Sequence, residues 1–398
     1  MMSERNIIVQ AAQGIHIDDQ PVEIVERKGL GHPDSLCDGI AREISREYSR
    51  WCKENLGLIL HHNFDKVQLV AGESRAHFGG GEMIKPIRIQ IAGRGTREYQ
   101  GRTIPVDTLA IATARKYLKN TLRYLDVDAN VVIDCFAGTG STDLTNTVDR
   151  IKANDTSFGV AHWPHSSLEE IVYETSQYLN NLVLKMYPIG EDTKVMGCRN
   201  NGTITLTCSI PFIAAKVKTP EEYLSLKREL VNLLQRFAQS MDEKRKVEVM
   251  INNADNPQNN DYYLTVTGTS AECGDDGQVG RGNRVTGFIA PFRPSSLEAA
   301  CGKNAISHVG VIYNVLALET ARKICETFPE VTDVSVYILS QIGSPLDQPL
   351  LANVTARTKN GNYLEDGLKG KIHEFTDRAI SEVEKIREVI LSGQAALF

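Results

Sequence analysis

The sequence predicts an α+β protein built of layered units, with helices on one face of each sheet. Three observations predict it. Strand-like runs come partly in pairs, without a helix after each one. Amphipathic helical runs recur in every third of the chain. No alternating strand–helix series of the doubly wound kind is present. The 398 residues are too many for one ordinary core, and 41% hydrophobic content is enough for two or three.

Residues 34–56 read as a helix, with Leu36, Ile40, Ile44 and Trp51 at helical spacing and Asp34 placed to cap it. "KVQLVAGE" and "PIRIQIAG" alternate as half-buried strands. A second helix is expected over 105–125, opened by Pro105, followed by the strand "NVVIDC" running into "FAGTGSTD". Ser166 and Glu169 form a capping-box pattern before a helix reaching about Lys185. "TITLTCSI" reads as a strand, and Thr219-Pro220-Glu221-Glu222 as a helix start. "KVEVMIN" and "YYLTVTG" read as strands around a polar turn. A helix within 303–328, the strand "DVSVYIL" and a helix over 371–391 close the chain. The polar or glycine-rich loops 253–261 and 269–297 are long enough to be functional.

Charge and cysteine use exclude several classes. The net charge of −6 and pI of about 5.9 give no footprint for nucleic acid or an anionic membrane. The eight cysteines include no C-x-x-C pair, so zinc-site spacing is absent and a reduced, cytoplasmic setting is expected. The first residues carry no secretory pattern, and the most apolar helix candidate, "GVIYNVLAL", is too short to span a bilayer. "CGKN" is not a Walker loop, because Leu297 stands where its first glycine belongs and Asn304 where its Ser or Thr belongs.

Four polar segments remain as candidates. Gly31-His32-Pro33-Asp34 sets an imidazole and a carboxylate at a helix mouth, where a cap needs only one short polar group. "AGTGSTD", 137–143, is either a strand-ending turn or a backbone nest for phosphate. "GEDTKVMG", 190–197, carries Asp192 and Lys194, which in isolation read as a surface hairpin pair. "AECGDDGQVGRGNR", 271–284, followed by "EAACGKN", gathers Asp275, Asp276, Arg281, Arg284 and Lys303.

"GHPDSLCDGI", "AGE", "EDTK", "GDDGQVGR" and "GKNAISHVG", in that order, resemble the S-adenosylmethionine synthetase family, in its archaeal-type branch. The resemblance implies synthesis of S-adenosylmethionine from ATP and L-methionine, with the bound triphosphate hydrolysed to phosphate and diphosphate. It implies three similar, interleaved α+β domains around a pseudo-threefold axis, whose boundaries the sequence does not mark, and a homodimer with active sites between subunits. Carried over residue by residue, Glu26 lies near the nucleotide, His32 at the reaction centre, and Asp34 on Mg2+. Glu73 grips the methionine amino group, and Asp155 and Asp275 also lie at methionine, Asp275 at ATP as well. Lys194, Arg281 and Lys303 bind phosphate and act in catalysis. Gly138, Thr139, Gly140, Ser141, Thr142 and Asp143 contact the nucleotide.

The pattern departs at four places. Ser35 and Gly282 stand where the bacterial branch has lysines, and Arg284 is the expected substitute for the second. Ala305 stands at a second metal aspartate, and no glutamate near His62 and Asn63 matches the one linked to a K+ site, which leaves K+ an open cofactor. The other readings of the same residues are a magnesium-dependent polyphosphate hydrolase and a nucleotide-binding protein without catalysis.

Overall fold

The computed structural model describes residues 5–140, 152–361 and 363–398. Three four-stranded sheets organise them. The first runs Gly277–Gln278, His62–Val70, Ile87–Gly95, Val131–Cys135, beneath helices α1 (Pro33–Leu56) and α2 (Val106–Thr121). The second runs Val22–Lys28, Lys194–Asn200, Thr203–Ser209, Lys246–Ile251, with α3 (Ser167–Tyr178) and α4 (Pro220–Met241) against it. The third runs Phe158–Trp163, Val331–Leu339, Leu351–Thr358, Ile7–Ala11, with α5 (Val309–Thr327) and α6 (Asp366–Ser381) against it and α7 (Val383–Ser392) packed on α5.

All three sheets share one pattern of pairing: antiparallel, antiparallel, then parallel. The units are also threaded through one another. Strand Val22–Lys28 belongs to the second sheet, and the helix after it, α1, packs on the first. Strand Phe158–Trp163 belongs to the third, and α3 after it packs on the second. Strand Gly277–Gln278 belongs to the first, and the next helix, α5, packs on the third. Strand alternation buries one face of each sheet. Val25 at 0% and Val249 at 7% face inward, while Val22, Ile24 and Met250 face out.

Several local expectations are met for the expected reason. Ser166 Oγ accepts from Glu169 N and Glu169 Oε2 accepts from Ser166 N, a complete capping box. Thr219 caps α4 by accepting from Glu222 N. Others are corrected. The cap of α1 is His32, whose Nδ1 accepts from Asp34 N at 3.1 Å, so Asp34 lies within the first turn. The second helix stops at Thr121. Only Leu264–Thr265 of "YYLTVTG" is strand, because side chains, chiefly Glu272, take the amides that a longer ladder would use. The C-terminal helix begins at Asp366 and breaks at Glu382 into α6 and α7.

Candidate active site

The mouth of α1 is assembled from three backbone segments. Gly29 N donates to Thr193 O at 2.6 Å and Gly31 N to Glu191 O at 3.0 Å. A Cβ on Gly31 would sit 2.6 Å from the Glu191 carbonyl carbon, so the turn closes only with glycine there. Thr269 Oγ1 donates to Gly31 O at 2.8 Å, and Gln278 N donates to Asp34 Oδ1 at 2.9 Å. Residues 29–34, 191–193 and 269–282 therefore meet at one point, although they are far apart in sequence.

His32 is buried, and its Nδ1 is committed to the helix cap. Nε2 is then the nitrogen left to carry a proton, and it lies 3.6 Å from Asp275 Oδ2. That separation is beyond a good hydrogen bond and leaves the donor open to a ligand oxygen. Burial, then the charge of Lys28, holds the imidazole at about 4, so it is neutral at pH 7. Asp34 Oδ2 accepts from Lys28 Nζ at 2.8 Å. Burial raises the Asp275 carboxyl, and the negative charge of Asp34 raises it further, which places the two carboxylates within electrostatic reach of each other.

Lys194 opens its strand directly opposite Lys28, and its Nζ is 4.0 Å from Glu26 Oε1. Glu26, His32, Asp34, Lys194 and Asp275 thus share one cleft. Arg281 sits on its rim with an exposed side chain, its carbonyl taken by Lys28 Nζ at 2.8 Å. The isolated reading of Asp192 and Lys194 as a surface pair is corrected. Asp192 is buried, accepts from Ser270 N at 2.7 Å and Ser270 Oγ at 2.5 Å, and is pushed up to about 6 by burial. Its task is to join two of the three segments.

The remaining expected residues lie elsewhere in the chain. Lys303 Nζ donates to Asp65 Oδ2 at 2.5 Å and Glu298 Oε1 at 2.8 Å, and its carbonyl accepts from Ser45 Oγ. Ser45 is thirteen residues along α1 from His32, which at about 1.5 Å per residue puts the Lys303 backbone about 20 Å along the helix axis from its mouth. Gly138 and Gly140 lie on this far side. Gly138 N donates to Gly93 O, which removes that amide from any nest, and Gly140 packs on the buried His61. Thr139 lies between them, whereas Ser141, Thr142 and Asp143 fall outside the described residues. Asp155 is exposed beside Asn154, whose amide donates to Ser307 O. Glu73 is exposed on the hairpin 73–85, paired with Lys85, and the preceding Ala71 N donates to Asp276 Oδ1.

Sequence reasoning assigned no site role to Lys28, Asp38 or Asp65. Asp38 lies one turn below Asp34, accepts from Gly280 N at 2.8 Å, and is pushed up to about 7 by burial. A side chain at Gly282 would overlap its other oxygen, which is why no lysine fits there. Arg284, the expected substitute, lines a small cavity with Asp38 and Cys301 behind the cleft. In the sequence, Lys28 stands beside Arg27 just upstream of Gly31-His32-Pro33-Asp34, and Asp38 lies one helical turn from Asp34.

Fold and cleft together define a class: an α+β protein with a neutral imidazole donor, paired carboxylates and flanking ammonium groups, suited to a phosphorylated ligand carrying a hard cation. The family model described as S-adenosylmethionine synthetase (AdoMet synthetase) matches residues 5–394, and the chain belongs to that family. It is 47% identical over 395 residues to the S-adenosylmethionine synthase of Methanothrix thermoacetophila, covering 98% of each chain. It is 44% identical over 402 residues to that of Pyrococcus furiosus, covering 99% of this chain and all of that one. Its fold matches the structure of an unusual S-adenosylmethionine synthetase from Campylobacter jejuni, with a TM-score of 0.61 and 14% identity over 95% of this chain and 94% of that one. Among the described residues no helix is long and apolar enough to cross a membrane.

Proposed function

We propose that the chain is a methionine adenosyltransferase that joins ATP and L-methionine into S-adenosylmethionine and then hydrolyses the triphosphate. The family match over residues 5–394 carries this reading, and the cleft supplies its chemistry. The methionine sulfur is a nucleophile without a proton, so attack on C5′ of ATP needs no general base. The barrier lies in alignment and in the charge that collects on the leaving triphosphate. His32 Nε2–H, open and neutral, donates to the oxygen from which C5′ departs. Lys194 and Arg281 bind phosphate oxygens from two sides, and Glu26 orients Lys194.

Mg2+ fits the donor set. Asp34 and Asp275 offer carboxylate oxygens only, and a lysine ammonium already neutralises Asp34 in its place. Among the described residues no group of three or more acidic, histidine or cysteine side chains could cage a metal. That fits an ion held by one or two carboxylates and by substrate phosphate. When bound, the ion neutralises charge on the triphosphate.

The shared pairing pattern and the threading of the sheets support three related units around a pseudo-threefold axis. A homodimer would cover the outward apolar residues Ile8, Val22, Ile24, Met250 and Phe158 and bring a partner's Lys303 region to the cleft that lies about 20 Å away within one chain. Glu73 and Asp155 are then the methionine-side groups. A reduced, cytoplasmic setting suits its eight free cysteines.

The test is incubation with ATP, magnesium and labelled methionine. A methionine-dependent sulfonium product is expected. Polyphosphate cleavage without it would make the protein a hydrolase, and nucleotide binding without turnover a non-catalytic binder.

A further inference from the structure

Lys28 enters the cleft with unusual constraint. Its backbone N donates to Asn283 Oδ1 at 3.0 Å, and Asn283 Nδ2 returns a bond to Lys28 O at 2.9 Å. Its Nζ donates to Asp34 Oδ2 and to Arg281 O, each at 2.8 Å. The ammonium is therefore fixed from the helix mouth and from the loop that carries Arg281.

The sheet register adds a second observation. Lys28 and Lys194 are directly opposed on neighbouring strands, so their side chains leave the same face. Like charges so placed repel and destabilise the pair. Glu26 at 4.0 Å from Lys194 Nζ and Asp34 at 2.8 Å from Lys28 Nζ offset that cost only in part, because Asp34 is also the carboxylate that a cation would claim. A polyanion lying across both ammonium groups removes the repulsion.

We propose that Lys28 is a polyphosphate-binding residue that changes partners: it holds Asp34 while the cleft is empty, and passes to the triphosphate when a divalent cation takes Asp34. This rests on the adenosyltransferase reading above. It also assigns the cation that Ser35 and Gly282 do not supply to Lys28, the last residue of the preceding strand.

The experiment uses the full-length chain and inorganic tripolyphosphate with Mg2+ as probe, measured by calorimetry. Lys28→Met is expected to weaken tripolyphosphate binding by about tenfold or more, the size of one charge-assisted hydrogen bond. Lys28→Arg, which keeps the charge, is expected to retain most of it. Mn2+ added alone and followed by its electron spin resonance signal is expected to bind Lys28→Met at least as tightly as wild type, because the competitor for Asp34 is gone. Circular dichroism of both variants shows whether they fold, and if Lys28→Met does not, Lys28→Gln takes its place. Wild-type tripolyphosphate binding in the charge-removed variant, or Mn2+ binding lost along with it, overturns the proposal. If wild type makes the sulfonium product while the variant binds normally, the inference alone fails. If wild type neither makes product nor binds tripolyphosphate, both readings fail.

Discussion

Replacing Lys303 by methionine separates two roles that its position joins. The side chain is 3% exposed, with carboxylate oxygens of Asp65 and Glu298 at 2.5 and 2.8 Å. Lys303→Met keeps most of the stem, leaves Glu298 without this ammonium and leaves Asp65 with the exposed Lys66 alone. Burial raises the Asp65 carboxyl, but Lys303 and Lys66 outweigh it and hold Asp65 at about 2, against an ordinary 3.8. That difference of 1.8 corresponds to about 2.4 kcal/mol at neutral pH. Because the folded value is depressed, this stability is present above about pH 4 and is lost as the pH falls through 2. Lys66 stays on Asp65 and the Glu298 side chain is partly exposed, so the expected loss is about 2–3 kcal/mol, below the full cost of breaking a buried pair. Lys303→Met/Asp65→Asn removes one orphaned charge and should recover about 1–2 kcal/mol of it. The assay is urea unfolding of the three proteins at pH 7, with turnover measured well below the transition. Unfolding midpoints identical to wild type would refute the ion-pair reasoning. Lost turnover at intact stability would then leave Lys303 with a phosphate-binding role alone.

Three further outcomes are expected. His32→Asn keeps a good helix cap and removes the Nε2 donor, so kcat should fall about a hundredfold, near 3 kcal/mol, with little change in methionine KM or unfolding midpoint; a fall in stability with normal kcat would make His32 a cap and nothing more. Gly282→Ala drives a methyl group into the Asp38 carboxylate and should cost about 1–3 kcal/mol as overpacking, read by thermal unfolding, while an unchanged Tm would show that the loop yields freely. Asp38, raised to about 7 from 3.8, contributes stability that is full below about pH 4 and is lost as pH rises through 7. Asp38→Asn should therefore be more stable than wild type at pH 8, by up to about 4 kcal/mol from the 3.2 difference, and should lose that advantage near pH 4; equal pH profiles would disprove it.

Local signals in the sequence placed most helices. Ser166 with Glu169, and Thr219 before Pro220, act through neighbours three residues away, so their bonds can be read in the text of the chain. The α1 cap was misassigned because aspartate is the better cap by composition, whereas Lys28 and Gln278 N draw Asp34 away from that role. Those partners sit six and 244 residues distant, and no local rule sees the second. Strands such as Ile7–Ala11 and Leu351–Thr358 were not read either, since their pairing defines them more than their residues do. In the cleft, ordered motifs identified His32, Asp34, Lys194 and Asp275. Lys28 stayed hidden because its meaning depends on register with Lys194, a non-local fact.

The third sheet has a bearing on how the chain is made. Its edge strand Ile7–Ala11 is synthesised well before its partner Leu351–Thr358, with which it pairs in register Ile7 to Ala352. Vectorial synthesis therefore leaves this segment without its ladder until Leu351–Thr358 has been made. The loop it closes spans 345 residues, and loop-closure entropy makes such a pairing slow. The threading of the other sheets extends the delay, because α1 is synthesised long before Gly277–Gln278 arrives at the edge of the sheet it covers. The nascent chain is thus committed to late closure of this sheet, after its most distant strands have both been made.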